Sequence, residues 1–253
     1  MTAEPFGPYL PIDAQLANTN LKDRIHLVGV ELEGGWNYMP PGTLRPIRDG
    51  SIKFTDLEHA AGSGINYMGE IPLPPLGTKE FPKTMKLYYP HVVNSTCGMH
   101  VHLSTRKAFT YQRLMVNKPF SYPATIVEYM TRWAIRESLP AGHPIWPRLQ
   151  GQNEFCQHVF QADEQAKTAS KDFDHHRHGH RYTVISYCWG RYKTVECRLL
   201  PMMKTSTLGV AAIQEVINIT NAFLAASRER EPKFTTFVEE SHDQCTDELK
   251  SFV

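Results

Sequence analysis

The chain has few cysteines, no marked excess of one charge and no long apolar run. Its five cysteines are scattered and odd in number, and none forms a Cys-x-x-Cys pair. This argues against a zinc knuckle or a dithiol redox site and is typical of reduced thiols in the cytoplasm. Lys and Arg number 27 against 26 for Asp and Glu, which leaves no basic excess for binding nucleic acid.

Residues 1–10 contain two prolines and lack the apolar core of a signal peptide. No apolar run approaches the roughly 20 residues that span a bilayer, so we expect a soluble cytoplasmic protein without a membrane partner. The composition, 41% hydrophobic and 21% charged, is typical of a globular protein. Neither a repeat nor a linker is evident, which predicts one domain over 1–253 with a short irregular lead-in at 1–24.

Hydrophobic periodicity predicts an α+β fold. The predicted strands are 25–33 (ended by Gly34-Gly35), 66–72, 93–104, 181–189 and 194–200. The predicted helices are 78–93, 124–138, 153–168 and 206–229, the last capped by Ser206 or Thr207. Prolines predict loops at 36–48 and 140–147.

Three of these strands follow one design, in which polar side chains at i and i+2 share a face and apolar ones share the other. The polar pairs are Glu31 with Glu33, His100 with His102, and Glu196 with Arg198. One interpretation is a half-covered sheet whose polar pairs face solvent. Recurrence in three strands, with Glu70 ending a fourth, favours carboxylates gathered around cations, because they would otherwise repel each other. Carboxylates with an imidazole suit Mg²⁺ or Mn²⁺.

Four motifs extend this pattern. NSTCGMHVHLS at 94–104 resembles the N-x-S-G-M-H-x-H-x-S motif of glutamine synthetases, and GVELEGG at 29–35 resembles the Glu-x-Glu strand of the carboxylate-amine ligase superfamily. Asp49-Gly50-Ser51 with Glu70-Ile71-Pro72 resembles the D-x-S…E-I-x-x-P pattern of its amidoligase branch, as TVECRLL at 194–200 resembles that branch's T-x-E-x-R-x strand. Together they cover residues 28–200 in the family's order. The chain is therefore similar to the amidoligase family of the glutamine synthetase-like superfamily.

This resemblance implies a curved antiparallel sheet with helices packed on one face, as in the glutamine synthetase catalytic domain. It also implies ATP-dependent amide formation through an acyl phosphate, from carboxylate and amine substrates that are small molecules or peptides. The chain is much shorter than glutamine synthetase, so that enzyme's N-terminal domain and ring assembly are not implied. Cys97 replaces a serine or glycine of the motif, and no ammonium-site signature is present, so glutamate and ammonia are not the expected substrates.

The expected roles follow from pattern and resemblance together. The metal ligands for Mg²⁺ or Mn²⁺ are Glu31, Glu33, His100 and Glu196. The catalytic residues are Arg198 and Arg181, which would neutralise phosphate or hold a carboxylate, and Glu70, which is also a further candidate ligand. ATP would contact His102, Arg198 and Ser104, and the amine would contact Asp49 and Ser51.

Several alternatives stay open at this point. His102 could contact a metal ligand without binding the metal itself. Asp49 and Ser51 could form a turn and bind no substrate. Trp36 and Tyr38 could pack in the core or stack on a nucleotide base. The cluster His175, His176, His178 and His180 is typical of a solvated loop, or of a lid that carries a proton acceptor. At the level of function, a dinuclear metal-dependent hydrolase or phosphodiesterase and an inactive nucleotide-binding scaffold use the same residues.

Overall fold

The structure is a computed structural model that describes residues 9, 11–12, 25–48, 65–105, 114, 121–158, 182–188 and 192–229. These residues form an open antiparallel sheet and a few helices, so the predicted α+β class is confirmed. The strands are β1 Ile25–Trp36, β2 Tyr67–Pro72, β3 Leu76–Gly77, β4 Gly98–Thr105, β5 Ile185–Cys188 and β6 Thr194–Pro201. The helices are α1 Phe81–Tyr88, α2 Tyr122–Arg136, α3 Ile145–Leu149 and α4 Ser206–Glu229.

The sheet order is β2-β1-β4-β6-β5, and the short β3 pairs with the beginning of β1. Every paired neighbour is antiparallel. The long strand β1 and its partner β4 therefore lie at the centre, and β6 flanks β4 on the far side. Sequence-distant strands meet directly, which is how residues near 31, 100 and 196 become neighbours.

One face of the sheet is apolar and forms the main core. On β1 this face carries Val28, Val30 and Leu32, all buried, and β4 and β6 continue it with Met99, Val101, Leu103, Val195, Cys197 and Leu200. Helices α1 and α4 contact β1, and α2 packs against α4. The backbone N–H of Ile25 donates to Oδ1 of Asn221 at 3.0 Å, which joins the start of β1 to α4.

The first strand is longer than predicted. The sequence placed its end at Gly34-Gly35, but β1 continues through both glycines to Trp36. A Cβ on Gly34 would lie 2.6 Å from Cβ of Pro90 and 2.8 Å from the carbonyl oxygen of Val92. The glycines thus allow a close approach of the 90–92 segment and do not end the strand.

Two helix predictions were wrong in part. The helix predicted over 78–93 is limited to Phe81–Tyr88, because Tyr89 is extended before Pro90. The segment 153–158 of the predicted helix 153–168 forms turns and isolated bridges, since Gln157 pairs with Thr183. In contrast, the predicted loop at 140–147 runs into the short helix α3, whose Pro147 lies in the first turn.

The strand bounds also differ at two places. β4 begins at Gly98, after a turn at 95–96, and the predicted strand 181–189 is strand only at Ile185–Cys188 among its described residues. The carboxamide oxygen of Asn94 accepts hydrogen bonds from the backbone N–H groups of Thr96 (2.9 Å) and Cys97 (3.1 Å). This turn ends the preceding segment and directs the chain into β4.

Helix α4 has the predicted bounds, but two details differ. The hydroxyl of Thr205, not Ser206 or Thr207, accepts from the N–H of Leu208 at 3.2 Å. Its first 21 residues, Ser206–Ala226, are long and apolar enough by composition to cross a membrane, which contradicts the expectation that no such run exists. Core helices of soluble proteins pass the same test, and this one contributes buried Ile213, Val216 and Phe223 to the core.

Candidate metal centre

The second face of the sheet carries the predicted polar residues. Glu31 on β1 lies directly across from His100 on β4, and His102 lies across from Glu196 on β6. Glu70 on β2 lies across from Glu33 at the other side of β1. The interpretation that these pairs face solvent is wrong for the centre of this face, where Glu33 is 1% exposed and Glu196 0%. The four predicted ligands therefore meet in a largely buried cluster.

His100 lies among three carboxylates. Its Nδ1 is 2.9 Å from Oε2 of Glu31 and 3.7 Å from Oε1 of Glu196. Its Nε2 is 3.7 Å from Oε1 of Glu33. His100 alone cannot neutralise three carboxylates, and further positive charge comes from His102 beside Glu31 and from Arg198 beside Glu196.

His102 is a closer member of the cluster than the sequence indicated. Its Nε2 lies 3.1 Å from Oε1 of Glu31, and its Nδ1 lies 3.0 Å from Oγ1 of Thr194. The ring of Tyr192, which is partly exposed, meets the imidazole edge to face at 5.9 Å. Thr194 and Tyr192 thus orient His102. Thr194 is the first residue of the segment that resembles the T-x-E-x-R-x strand, but no role was predicted for it, and no motif marks Tyr192.

Two sets of side chains have the geometry of a metal site. Glu31, His102 and Glu196 form one, and Glu31, Glu70 and His100 form the other; within each set, ligand atoms lie within 4.8 Å of one another. Glu31 belongs to both sets. Each set is close enough together to hold one cation, and the shared carboxylate of Glu31 joins them. His102 is thereby added to the candidate ligands, and Glu70, a further candidate from the sequence, is kept among them.

Glu33 has a different position from the other predicted ligands. Its Oε2 accepts a hydrogen bond from the backbone N–H of Gly98 at the start of β4. A Cβ on Gly98 would lie 2.8 Å from Nε2 of His100 and 3.2 Å from Oε2 of Glu33. The glycine of the GMHVHLS segment therefore lets the carboxylate and the imidazole approach the strand end together. A ligand role for Glu33 stays a prediction.

The predicted phosphate-binding arginine is engaged with a carboxylate. Nη1 of Arg198 donates to Oε1 of Glu196, and the guanidinium lies 5.5 Å from the ring centroid of Tyr182. The thiol of Cys188 lies 3.7 Å from Oε2 of the same Glu196. Arg198 thus offsets the buried charge of Glu196, and its role toward a substrate stays a prediction.

The charges shift the acid–base properties of the cluster. Burial alone would raise the pKa of Glu31, but hydrogen bonds from His100 and His102 lower it far below its ordinary value. Burial would lower the pKa of His102, but its hydrogen bond to Glu31 and the charge of Glu196 raise it above 6.5. Burial would likewise lower the pKa of Arg198, and the charges of Glu196 and Glu31 raise it. The Glu31 carboxylate therefore stays ionised at neutral pH, as cation binding requires.

Other predicted residues are placed as follows. The hydroxyl of Ser104, toward the end of β4, donates to the carbonyl oxygen of Lys193 at 3.3 Å. Trp36 is buried, with its indole N–H donating to the carbonyl oxygen of Tyr88, whereas Tyr38 is exposed and packs against His91. Asp49, Ser51, Arg181 and the cluster at 175–180 lie outside the described residues.

Cys97, the departure from the motif, is an inert thiol. It is buried, and its Sγ lies 3.3 Å from Oδ1 of Asn94. Burial raises its pKa to about 12, so the thiolate is not formed at neutral pH. Its place in the turn before β4 agrees with an effect on fit and not on chemistry.

No protein-family model, no curated protein and no solved structure matches the chain.

The chemistry of the candidate ligand atoms indicates which cation fits the two sets. Carboxylate oxygens outnumber imidazole nitrogens, and Cys188 is not part of either ligand set among the described residues. Oxygen-rich sites of this kind fit Mg²⁺ or Mn²⁺ better than thiol-preferring metals.

Proposed function

We propose that the chain is an ATP- and Mg²⁺-dependent carboxylate-amine ligase of the glutamine synthetase-like type, in the amidoligase branch. The observation that carries this proposal is the convergence of Glu31, His100, His102 and Glu196 from three separated strands on one face of an open antiparallel sheet. The order of the four motifs along the chain adds support, because a chance set of acidic strands would not reproduce it.

The chain's own residues suit the chemistry of such a ligase. Glu31, His100, His102, Glu196 and Glu70 would hold the divalent cations. When bound, ATP would transfer its γ-phosphoryl group to a substrate carboxylate and leave as ADP, with Mg²⁺ neutralising the phosphate charge; the amine would then displace phosphate from the acyl phosphate. Around the cluster, the buried sheet face lowers the local dielectric, which strengthens every charge interaction there.

The polar face of β1 has no side chain at Gly29, across from His102. A Cβ added to it would have Cβ of His102 at 3.4 Å and the carbonyl oxygen of Leu73 at 4.0 Å as its nearest neighbours. In this proposal an anionic substrate group approaches His102 and Glu31 over Gly29.

A dinuclear hydrolase or phosphodiesterase is the second candidate, and the shared Glu31 favours it as much as it favours a ligase. Two cations about 3.5–4 Å apart are the arrangement that many phosphatases and nucleases use. The two candidates differ in their need for ATP and for an amine. An inactive scaffold would bind nucleotide and turn nothing over.

The test is a reaction with Mg²⁺, ATP and pooled amino acids, polyamines and peptides, followed by ADP measurement and mass spectrometry. A ligase forms ADP only when an amine is added, and its product is lighter than its two substrates by one water. Glu31→Gln and Glu196→Gln should abolish the reaction, and the surface change Glu137→Gln should not. Phosphoester hydrolysis without ATP would favour the hydrolase, and wild-type rates in both site variants would refute the site.

A further inference from the structure

Arg148 is a buried charge that no sequence motif indicated. It lies in α3, in the region where the sequence predicted a loop, and is 1% exposed. Among the residues that the structure describes, its Nε is the one buried side-chain nitrogen or oxygen without a hydrogen-bond partner. A buried guanidinium with an unsatisfied N–H destabilises a fold, so its presence points to a role other than stability.

The guanidinium of Arg148 contacts the sheet at a bulge in β6. Pairing between β4 and β6 passes from Met99–Leu200 to Val101–Cys197, so two residues of β6 lie opposite His100 alone. Such a bulge changes the direction of the side chains next to it. Nη1 of Arg148 donates to the carbonyl oxygen of Arg198, the first residue of this bulge, at 2.9 Å.

Charges of the metal centre act on Arg148. Burial lowers its pKa, the carboxylate of Glu33 opposes this shift, and the guanidinium of Arg198 adds to it. An arginine remains protonated under these conditions. Arg148 thus carries a fixed positive charge at the β6 bulge, where it contacts the backbone of Arg198.

We propose that Arg148 is a positioning residue of the metal centre: it holds the β6 bulge so that Glu196 keeps its place beside His100 and Arg198 keeps its contact with Glu196. It acts through these residues and touches no substrate. The inference rests on the proposed function, because it assigns Arg148 to a centre that binds divalent cations. Groups behind metal ligands commonly change affinity or activity by about 10- to 100-fold when they are removed.

The experiment compares Arg148→Met, which keeps the bulk and removes the charge, with Arg148→Lys, which keeps the charge and one donor. Arg136→Met is the matched control, because Arg136 is an exposed arginine of α2 that pairs with Glu215. Mn²⁺ affinity is measured by electron paramagnetic resonance, and the imidazole nitrogens of His100 are followed by NMR in metal-free protein. Near-ultraviolet circular dichroism and melting temperature report on the fold.

If Arg148 is a positioning residue, Arg148→Met should weaken Mn²⁺ binding by about 10- to 100-fold and shift the His100 resonances. Arg148→Lys should recover part of the affinity, and Arg136→Met should change nothing. Wild-type affinity in Arg148→Met, even with a lower melting temperature, would overturn the inference and leave the proposed function standing. If Arg148→Met does not fold, Arg148→Lys decides: unchanged Mn²⁺ affinity and unchanged His100 resonances overturn it.

Absence of Mn²⁺ binding in the wild type would refute the proposed function instead. The NMR measurement then decides on Arg148 alone. A shift of the His100 resonances in Arg148→Met but not in Arg136→Met supports its positioning role in the cluster. Identical resonances in all variants overturn it.

Discussion

Replacement of Glu31 by Gln tests the shared carboxylate most directly. Glu31 belongs to both ligand sets, whereas Glu196 and Glu70 each belong to one. We therefore expect the wild type to bind two Mn²⁺ ions, Glu31→Gln to lose both, and Glu196→Gln and Glu70→Gln to lose one each. A cluster that binds a single ion by general negative charge would show three similar, partial losses.

The size of the effect follows from the charge removed. Two unit charges about 4 Å apart at an effective dielectric constant of about 20 interact by about 4 kcal/mol. Every 1.4 kcal/mol is about a factor of ten, so Glu31→Gln should weaken Mn²⁺ binding by about 10³-fold or more. Gln keeps the shape and one carbonyl ligand, which separates the charge effect from packing.

The assay is a titration with Mn²⁺ in which the electron paramagnetic resonance signal of the free ion gives both stoichiometry and affinity. Glu137→Gln serves as the control, since it removes a charge from an exposed position at the end of α2. Two bound ions with wild-type affinity in Glu31→Gln would refute the shared site. No bound ion in the wild type would refute the metal centre as a whole.

Three further predictions concern the strand end, the pH dependence and the last helix. Gly98→Ala would put a Cβ 2.8 Å from Nε2 of His100, so Mn²⁺ affinity should fall at least tenfold in the titration while circular dichroism stays unchanged. Because the pKa of His102 is raised in the folded state, its interaction with Glu31 stabilises the fold below pH 6.5 and is lost as pH rises through the folded pKa. His102→Gln should therefore lower the free energy of unfolding of metal-free protein, measured with urea, more at about pH 6 than at about pH 9; an equal loss at both would contradict it. Thr205→Ala should cost about 1 kcal/mol in the same measurement, by loss of the α4 cap, whereas an unchanged value would show that the cap is dispensable.

The sequence alone was sufficient for the local pattern of the fold. Alternation with a period of two predicted that Glu31, His100 and Glu196 lie on strands, each on the face opposite the apolar side chains. The helical period of 206–229 gave the bounds of α4. These signals are local, since they depend only on neighbouring residues. The error at 78–93 arose because Tyr89 is extended before Pro90, and the one at 153–158 because Gln157 pairs with the distant Thr183. The loop predicted at 140–147 was wrong at its end because Pro147 fits the first turn of a helix.

Only the tertiary structure decided how the strands combine into a site. Glu31 and His100 are 69 positions apart, and their contact depends on the register of β1 and β4, which no local signal encodes. The same register gave His102 and Glu70 their places beside the cluster, and the β6 bulge gave Arg148 its partner. The burial of Glu33 and Glu196 was also decided by the tertiary structure, because a strand pattern specifies which side chains share a face but not how exposed that face is.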